Sequence, residues 1–472
     1  MTTDCPDEVA LVFVVTPACG YLTVPERWEA PNGKMIRIFV ARVDPADGVD
    51  ADDPMVVVGE TLGGRLEYGG LASLAQRTGR VVYIVDRRGT GLSEPVLRCH
   101  EVGAARNAIL AVPARDPAAT SLLTAALRDC RARLVADGID IEAYGLLSSA
   151  RDIEALRTEL ALPPWNVIGF GSASRLALEV ARQSPAGVRS IVLDSPVPAQ
   201  GPDPAFNAAA AAAVMARLAE LCESDADCGR AHGDVEAELG ALIDSLRVEP
   251  ITLHAGATAQ APTIVFDDIR ASRAIRATLG YEGGRKLSSL LRSIRAASDR
   301  TIVPDDPLVR LLTEAGDACV GYFPDCTNVE DGSWLGTLCA DVVPFMDRPA
   351  ALSPTAATAW LAPTFEHSPL FAACDAWAVR PADPSIAAPV VSDVPALVLV
   401  GQFDPYTGPL PELEAALVGL SSATFLEVPN QSYNVFGFNE CPRQVRRGWL
   451  NDPTAALDTA CLADLPPLRL VP

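Results

Sequence analysis

Residues Trp165–Leu178 read WNVIGFGSASRLAL, and Val188–Pro196 follow with VRSIVLDSP. Asn166–Phe170 is a short apolar, β-branched run, the composition of a buried strand. Arg175–Gln183 carries its apolar residues at helical spacing, and Arg189–Leu193 is a second strand-like run. Only Gly171, Ser172, Ala173 and Ser174 separate the first strand from the helix, so the chain must turn sharply there. Strand, helix and strand in this order form the repeating unit of a parallel sheet.

The pattern continues on both sides. Met35–Val43, Pro54–Val58 and Arg80–Val85 read as strands, with helices expected over Ala118–Ala136 and Ser148–Leu160. Two strands come late, Ala396–Val400 and Thr424–Val428, with a short helix at Pro411–Leu417 between them. The stretch from Pro202 to Pro384 is different: helical patterns at Phe206–Cys222, Val235–Leu246, Ile269–Leu279 and Leu287–Ala297, and few good strands. The expectation is therefore an α/β fold with a doubly wound, mostly parallel sheet. Residues 1–201 and 385–472 would form the core, and 202–384 an inserted helical lid over the strand C-terminal ends.

The 472 residues, 49% of them hydrophobic, suffice for one large α/β domain with an insertion. A net charge of −22 repels phosphate backbones and anionic lipid, so nucleic acid and membrane surfaces are not expected partners. No apolar run reaches the roughly 18–20 residues of a membrane helix. The N-terminus is acidic where an export signal would be basic, and Val9–Val15 reads as a strand stopped by Pro17. Twelve cysteines, an even number with close pairs at 222/228 and 319/326, point to disulfides and an oxidising compartment. That conflicts with the lack of a visible export signal and leaves the compartment open. With no CxxC and four histidines, neither a metal site nor a cofactor is expected.

Four segments carry a family resemblance. Asp86–Ser93, DRRGTGLS, follows a strand and resembles the DxRGxGxS turn of prolyl iminopeptidases and tripeptidyl-aminopeptidase-like α/β-hydrolases. The stretch quoted at the outset is similar to that family's strand, nucleophile elbow, helix and next strand, typically GxSxGTRLAL and VRSLVLDS. Ungapped, the nucleophile position falls on Gly171, with Gly169 and Ala173 as the small flanking residues a strained elbow demands. Taking Ser172 as nucleophile instead puts Phe170 where a small residue is required. Pro395–Thr407, PALVLVGQFDPYT, resembles the turn that carries the triad acid, matched by Asp404. Where the family has its histidine turn, the sequence is VPNQSYNV, with Tyr433 in the histidine position.

The resemblance implies the α/β-hydrolase fold with a degenerate triad. Triad order in this fold is Ser, Asp, His, and the last histidine of the chain is His367. The oxyanion loop is altered as well: Gly59–Gly64 reads GETLGG and brings Glu60 toward a place built for negative charge. By similarity, Cys99–Cys130, Cys222–Cys228, Cys339–Cys374 and Cys441–Cys461 would pair, leaving Cys5–Cys19 and Cys319–Cys326 by remainder.

Three functions fit. The pocket performs non-hydrolytic chemistry on a small organic, natural-product-like substrate (addition, cyclisation, C–C bond formation or isomerisation), with Asp404 orienting the Tyr433 hydroxyl and Glu60 as base. Gly171, Ser172 and Asn434 would line it. Alternatively, it binds a small-molecule ligand without turnover, Tyr433 filling the space of the lost histidine and Asp404 capping its own turn. In the third, a rearranged hydrolase or peptidase uses Ser172 or a distant histidine such as His367.

Overall fold

The computed structural model describes residues 5–10, 16–45, 50–58, 73–201, 207–254, 263–281, 291, 331–353 and 358–470. Eight strands form one sheet: β1 Ala18–Pro25, β2 Met35–Val43, β3 Asp50–Val58, β4 Arg80–Val85, β5 Trp165–Phe170, β6 Val188–Asp194, β9 Ala396–Gly401 and β10 Ala423–Val428. Their order is β1-β2-β4-β3-β5-β6-β9-β10. The first two pairings are antiparallel and all others parallel.

The central strands are apolar along their length because helices cover both faces. β4 and β9 are buried at every position. Alternate residues feed two cores: Val56, Val58, Tyr83, Val85 and Val167 point into one, and Met55, Val57, Val82, Ile84 and Ile168 into the other. Antiparallel β1 was not foreseen; its burial alternates as an edge strand's does, a weaker signal than a continuous apolar run. The strand expected over Val9–Val15 begins instead as a short helix, Asp7–Ala10, and residues 11–15 lie outside the described ones.

Between β6 and β9 the described chain is mainly helical: Ala208–Ser224, Ala226–His232, Val235–Val248, Asp268–Tyr281 and Leu370–Trp377 are the longer pieces. A two-stranded hairpin, β7 Ile251–His254 with β8 Thr263–Phe266, interrupts the run. The helix expected at Leu287–Ala297 falls outside the described residues except for Leu291. The end of the Asp268–Tyr281 helix reaches the sheet's carboxyl edge. A Cβ on Gly280 would collide with the Tyr406 ring, and Ser432 Oγ lies 3.0 Å from both Leu279 O and Gly280 O.

Among the described residues five disulfides are formed: Cys5–Cys19, Cys99–Cys130, Cys222–Cys228, Cys339–Cys374 and Cys441–Cys461. Cys319 and Cys326 are outside the described residues. On the chain-entropy account the bridges separated by 31 and 35 residues restrict the unfolded chain most. Mass spectrometry of the unreduced, alkylated protein should find these ten cysteines unmodified, and reduction should lower the melting temperature. Quantitative alkylation without reductant would contradict the pairing.

Candidate active site at the carboxyl edge of the sheet

Three turns at the carboxyl ends of β5, β9 and β10 build the candidate site. β5 runs into Gly171, whose φ of +50° is easy only for glycine, and a tight turn over Gly171–Ala173 opens the helix Ser174–Gln183. Ser172 is not among the described residues of positive φ, so the apex of the elbow is Gly171. Gly169 is obligatory, because a Cβ there would lie 2.8 Å from Ser174 Cα. Ser174 Oγ donates to Gly171 O at 2.6 Å and accepts from Val197 N at 2.8 Å, locking the elbow to the chain after β6.

The second turn carries Asp404, which is buried. Its carboxylate accepts Tyr406 N at 2.8 Å, Thr407 N at 3.1 Å and Thr407 Oγ1 at 2.9 Å. Burial pushes its pKa up, against the pull of these bonds and one from Ser195. The bonds that engage Asp404 thus run to its own turn and to Ser195.

The third turn follows β10. Asn430 and Asn434 adopt left-handed φ of +59° and +61°, folding Gln431–Tyr433 back over the sheet edge. Gly401 admits the crossing, since a Cβ there would collide with Ser432 O and lie 2.6 Å from Gln431 O. Phe403 N donates to Gln431 O at 2.8 Å and Ser432 Oγ to Phe403 O at 2.8 Å, so the second and third turns move together.

This arrangement brings Tyr433 onto the elbow. A Cβ on Gly171 would collide with the Tyr433 hydroxyl oxygen and stand 3.0 Å from Cζ. The phenol therefore fills the space that a side chain on residue 171 would need. Its ring meets Tyr406 edge-on at 5.2 Å between centroids, and Arg276 from the Asp268–Tyr281 helix stands 5.1 Å above the Tyr406 ring. Gly171, Ser172, Tyr433 and Asn434 are thus gathered, with Asp404 joined through Tyr406. Glu60 and the rest of its loop lie outside the described residues.

The three histidines whose side chains are described are elsewhere. His232 pairs with Glu238 in the helical block, and His100 is exposed. His367 has its pKa lowered by burial and by Arg115, near Asp268 at the start of the Asp268–Tyr281 helix. Tyr406 packs on Gly280 near that helix's other end, about 18 Å further along the axis. Among the described residues no three His, Cys, Asp or Glu side chains are grouped as a metal would need.

Sequence reading missed Asp194 and Ser195, the last residue of β6 and the one after it. Asp194 accepts Val435 N and Phe436 N, both at 3.0 Å, and Ser195 Oγ lies 3.2 Å from Asp194 Oδ1. The available signal was a polar Asp-Ser pair ending an otherwise apolar strand.

This topology and site define an α/β-hydrolase fold, and residues 55–233 match the family described as alpha/beta hydrolase fold. Residues 362–461 match the family described as TAP-like protein, and the two matches together support an α/β-hydrolase of the TAP-like kind. No match is found among curated proteins. Among solved structures it is similar to proline iminopeptidase from Mycobacterium smegmatis (16% identity, 92% of this chain, 98% of that one, TM-score 0.39). It is also similar to an esterase from Thermogutta terrifontis (14% identity, 92% and 100%, TM-score 0.38) and to naproxen esterase from Bacillus subtilis (10% identity, 94% and 94%, TM-score 0.37). At these TM-scores the similarities carry no argument.

Proposed function

We propose that this chain is a non-hydrolytic enzyme on an α/β-hydrolase scaffold, acting on a small organic, natural-product-like substrate by addition, cyclisation, C–C bond formation or isomerisation. The observation that carries this reading is the Tyr433 hydroxyl standing where a residue-171 side chain would project. Acyl-enzyme hydrolysis needs a nucleophile at that point and a base beside it, and the triad members act as a unit. Here the point holds a phenol at the head of the Ser174–Gln183 helix. The positive end of a helix favours negative charge, so a substrate oxygen becoming enolate or alkoxide is stabilised there by dipole and hydroxyl together. Asp404 then holds the Tyr406–Thr407 turn rather than acting on substrate. Glu60 is the proposed base, and the block 202–384 the lid that excludes water.

A second reading, ligand binding without turnover, is favoured by the bonds of Asp404, which serve its own turn. Two measurements separate the possibilities. A fluorophosphonate probe is expected to leave the protein unlabelled; stoichiometric labelling at Ser172 would establish a rearranged serine hydrolase. Tyr433→Phe is expected to slow turnover of a substrate found by screening about 10²–10³-fold while leaving the melting temperature within a few degrees. Full activity in Tyr433→Phe would make the tyrosine a space-filler, and saturable binding without product would support the second reading.

A further inference from the structure

We propose that Asp194, together with Ser195, is the positioning carboxylate of the Tyr433 turn, and that protonation of Asp194 releases the turn. The bearing of this on chemistry rests on the function proposed for Tyr433; the structural claim does not.

Asp194 Oδ1 accepts Val435 N and Oδ2 accepts Phe436 N, so both oxygens are committed to the first two residues of the helical turn after Tyr433 and Asn434. Ser195 Oγ takes Asn434 N at 3.2 Å and reaches Asp194 Oδ1. Three successive backbone amides, 434 to 436, therefore end on two adjacent side chains at the tip of β6. The backbone is strained to permit it: Ser195 has φ +51° and Asn434 φ +61°. Non-glycine residues persist there only where their surroundings over-determine them, and these two are bonded to each other. Ser195 also reaches Asp404, so its one hydroxyl hydrogen can serve either of the two buried carboxylates.

A protonated Asp194 carries a hydrogen on one oxygen and cannot accept both amides. Burial raises its pKa to about 6, against the amide bonds and Ser195, and the Asp404 charge raises it further. The charged groups facing it are Asp404 from the turn after β9 and Arg446 from the helix Glu440–Asn451. Arg446 is buried with its guanidinium 4.1 Å over the Phe436 ring, and Arg443, Arg77 and Glu440 lie behind it. The neighbouring strands place Phe170 and Leu399 opposite Asp194, neither of which titrates. The native pKa exceeds the ordinary 3.8, so this group's contribution to global stability is full below about pH 4 and is lost as pH rises toward 6. The turn's bonds run the other way and are complete only above about 6. Mild acid thus relaxes the turn without unfolding the chain through this group.

Hydrogen–deuterium exchange of the full-length protein, followed by mass spectrometry of peptides spanning 430–438 and normalised to the unstructured rate, tests this without a substrate. Protection is expected to fall about tenfold or more between pH 7.5 and 5, with a midpoint near 6. In Asp194→Asn, whose amide nitrogen cannot accept, protection should be low and flat across the range. Ser195→Ala should lose protection at Asn434 while keeping the pH dependence. A flat wild-type profile, or an Asp194→Asn profile like wild type, overturns the proposal. Should Asp194→Asn fail to fold, Asp404→Asn decides: abolition of the transition there assigns it to Asp404 and overturns the proposal, and its retention supports Asp194. Full activity of Tyr433→Phe sinks the role proposed for Tyr433 alone, and a flat exchange profile sinks this inference alone.

Discussion

Gly171→Ser is expected to destabilise the protein by about 2–4 kcal/mol and to create no peptidase activity. Two costs combine. Residue 171 sits at φ +50°, where a Cβ is strained, and that Cβ would collide with the Tyr433 hydroxyl. The phenol has little room to withdraw. Its ring is wedged against Tyr406, and its turn is tied by Ser432 to Phe403 O and by Asp194 to Val435 N and Phe436 N. A serine that did fit would still lack a proton acceptor, since no histidine follows His367. Chemical denaturation of Gly171→Ser, Tyr433→Ala and the double variant isolates the contact. Most of the loss should disappear in the Tyr433→Ala background, because contacting residues are not additive. An equal loss in both backgrounds would mean that backbone strain alone sets the cost and that Tyr433 does not occupy the elbow.

That the elbow, acid turn and third turn would meet was legible in the sequence, because strand-to-turn patterns locate the ends of strands and a parallel sheet forces those ends to one edge. Gly169 was readable as a small residue flanking the elbow, whereas the close approaches at Gly171 and Gly401 that a Cβ would block appear only in the fold. What was not legible was the partnering. Asp404 had been expected to orient the Tyr433 hydroxyl, yet the bonds that engage it come from Ser195 and from within DPYT, a sequence equally suited to capping its own amides. The carboxylate that grips the Tyr433 turn comes from β6, and the two segments are 241 residues apart for the bond to Val435. Nothing in local pattern couples positions that distant. Antiparallel β1 and the β7–β8 hairpin were missed on different grounds: β1 alternates in burial instead of forming a continuous apolar run, and β7 and β8 have four residues each, so that pairing rather than propensity makes them strands.

Breaking the Arg88–Asp152 pair is expected to be the largest single loss of stability outside the site, about 3–5 kcal/mol for Asp152→Ala. Arg88 is the second arginine of DRRGTGLS and its side chain is wholly buried. Its Nε and Nη2 grip Asp152 Oδ2 and Oδ1 at 2.7 and 2.6 Å, the bidentate geometry a guanidinium favours. Nη1 donates to Glu26 O at 2.7 Å and Ala143 O at 2.8 Å, and Trp28 Nε1 donates to Asp152 Oδ1 at 3.0 Å. One side chain thereby joins the turn after β4, the chain after β1 and the helix Leu146–Glu159. Removing the carboxylate strands a cation that arginine cannot neutralise by losing a proton. Removing the arginine leaves a carboxyl group that can take one up, so Arg88→Met should cost less than Asp152→Ala at low pH and approach it near neutrality. The double variant Arg88→Met/Asp152→Leu should recover much of the loss, because a pair of apolar side chains has no charge to desolvate. Urea denaturation at two pH values reads all three. If Asp152→Ala costs under about 1 kcal/mol, the pair behaves as an exposed ion pair and the DRRGTGLS turn is held by its own bonds instead. Those bonds are Leu92 N to Asp86 Oδ2 at 2.7 Å and Phe39 N to Ser93 Oγ at 2.9 Å, and both would survive the substitution.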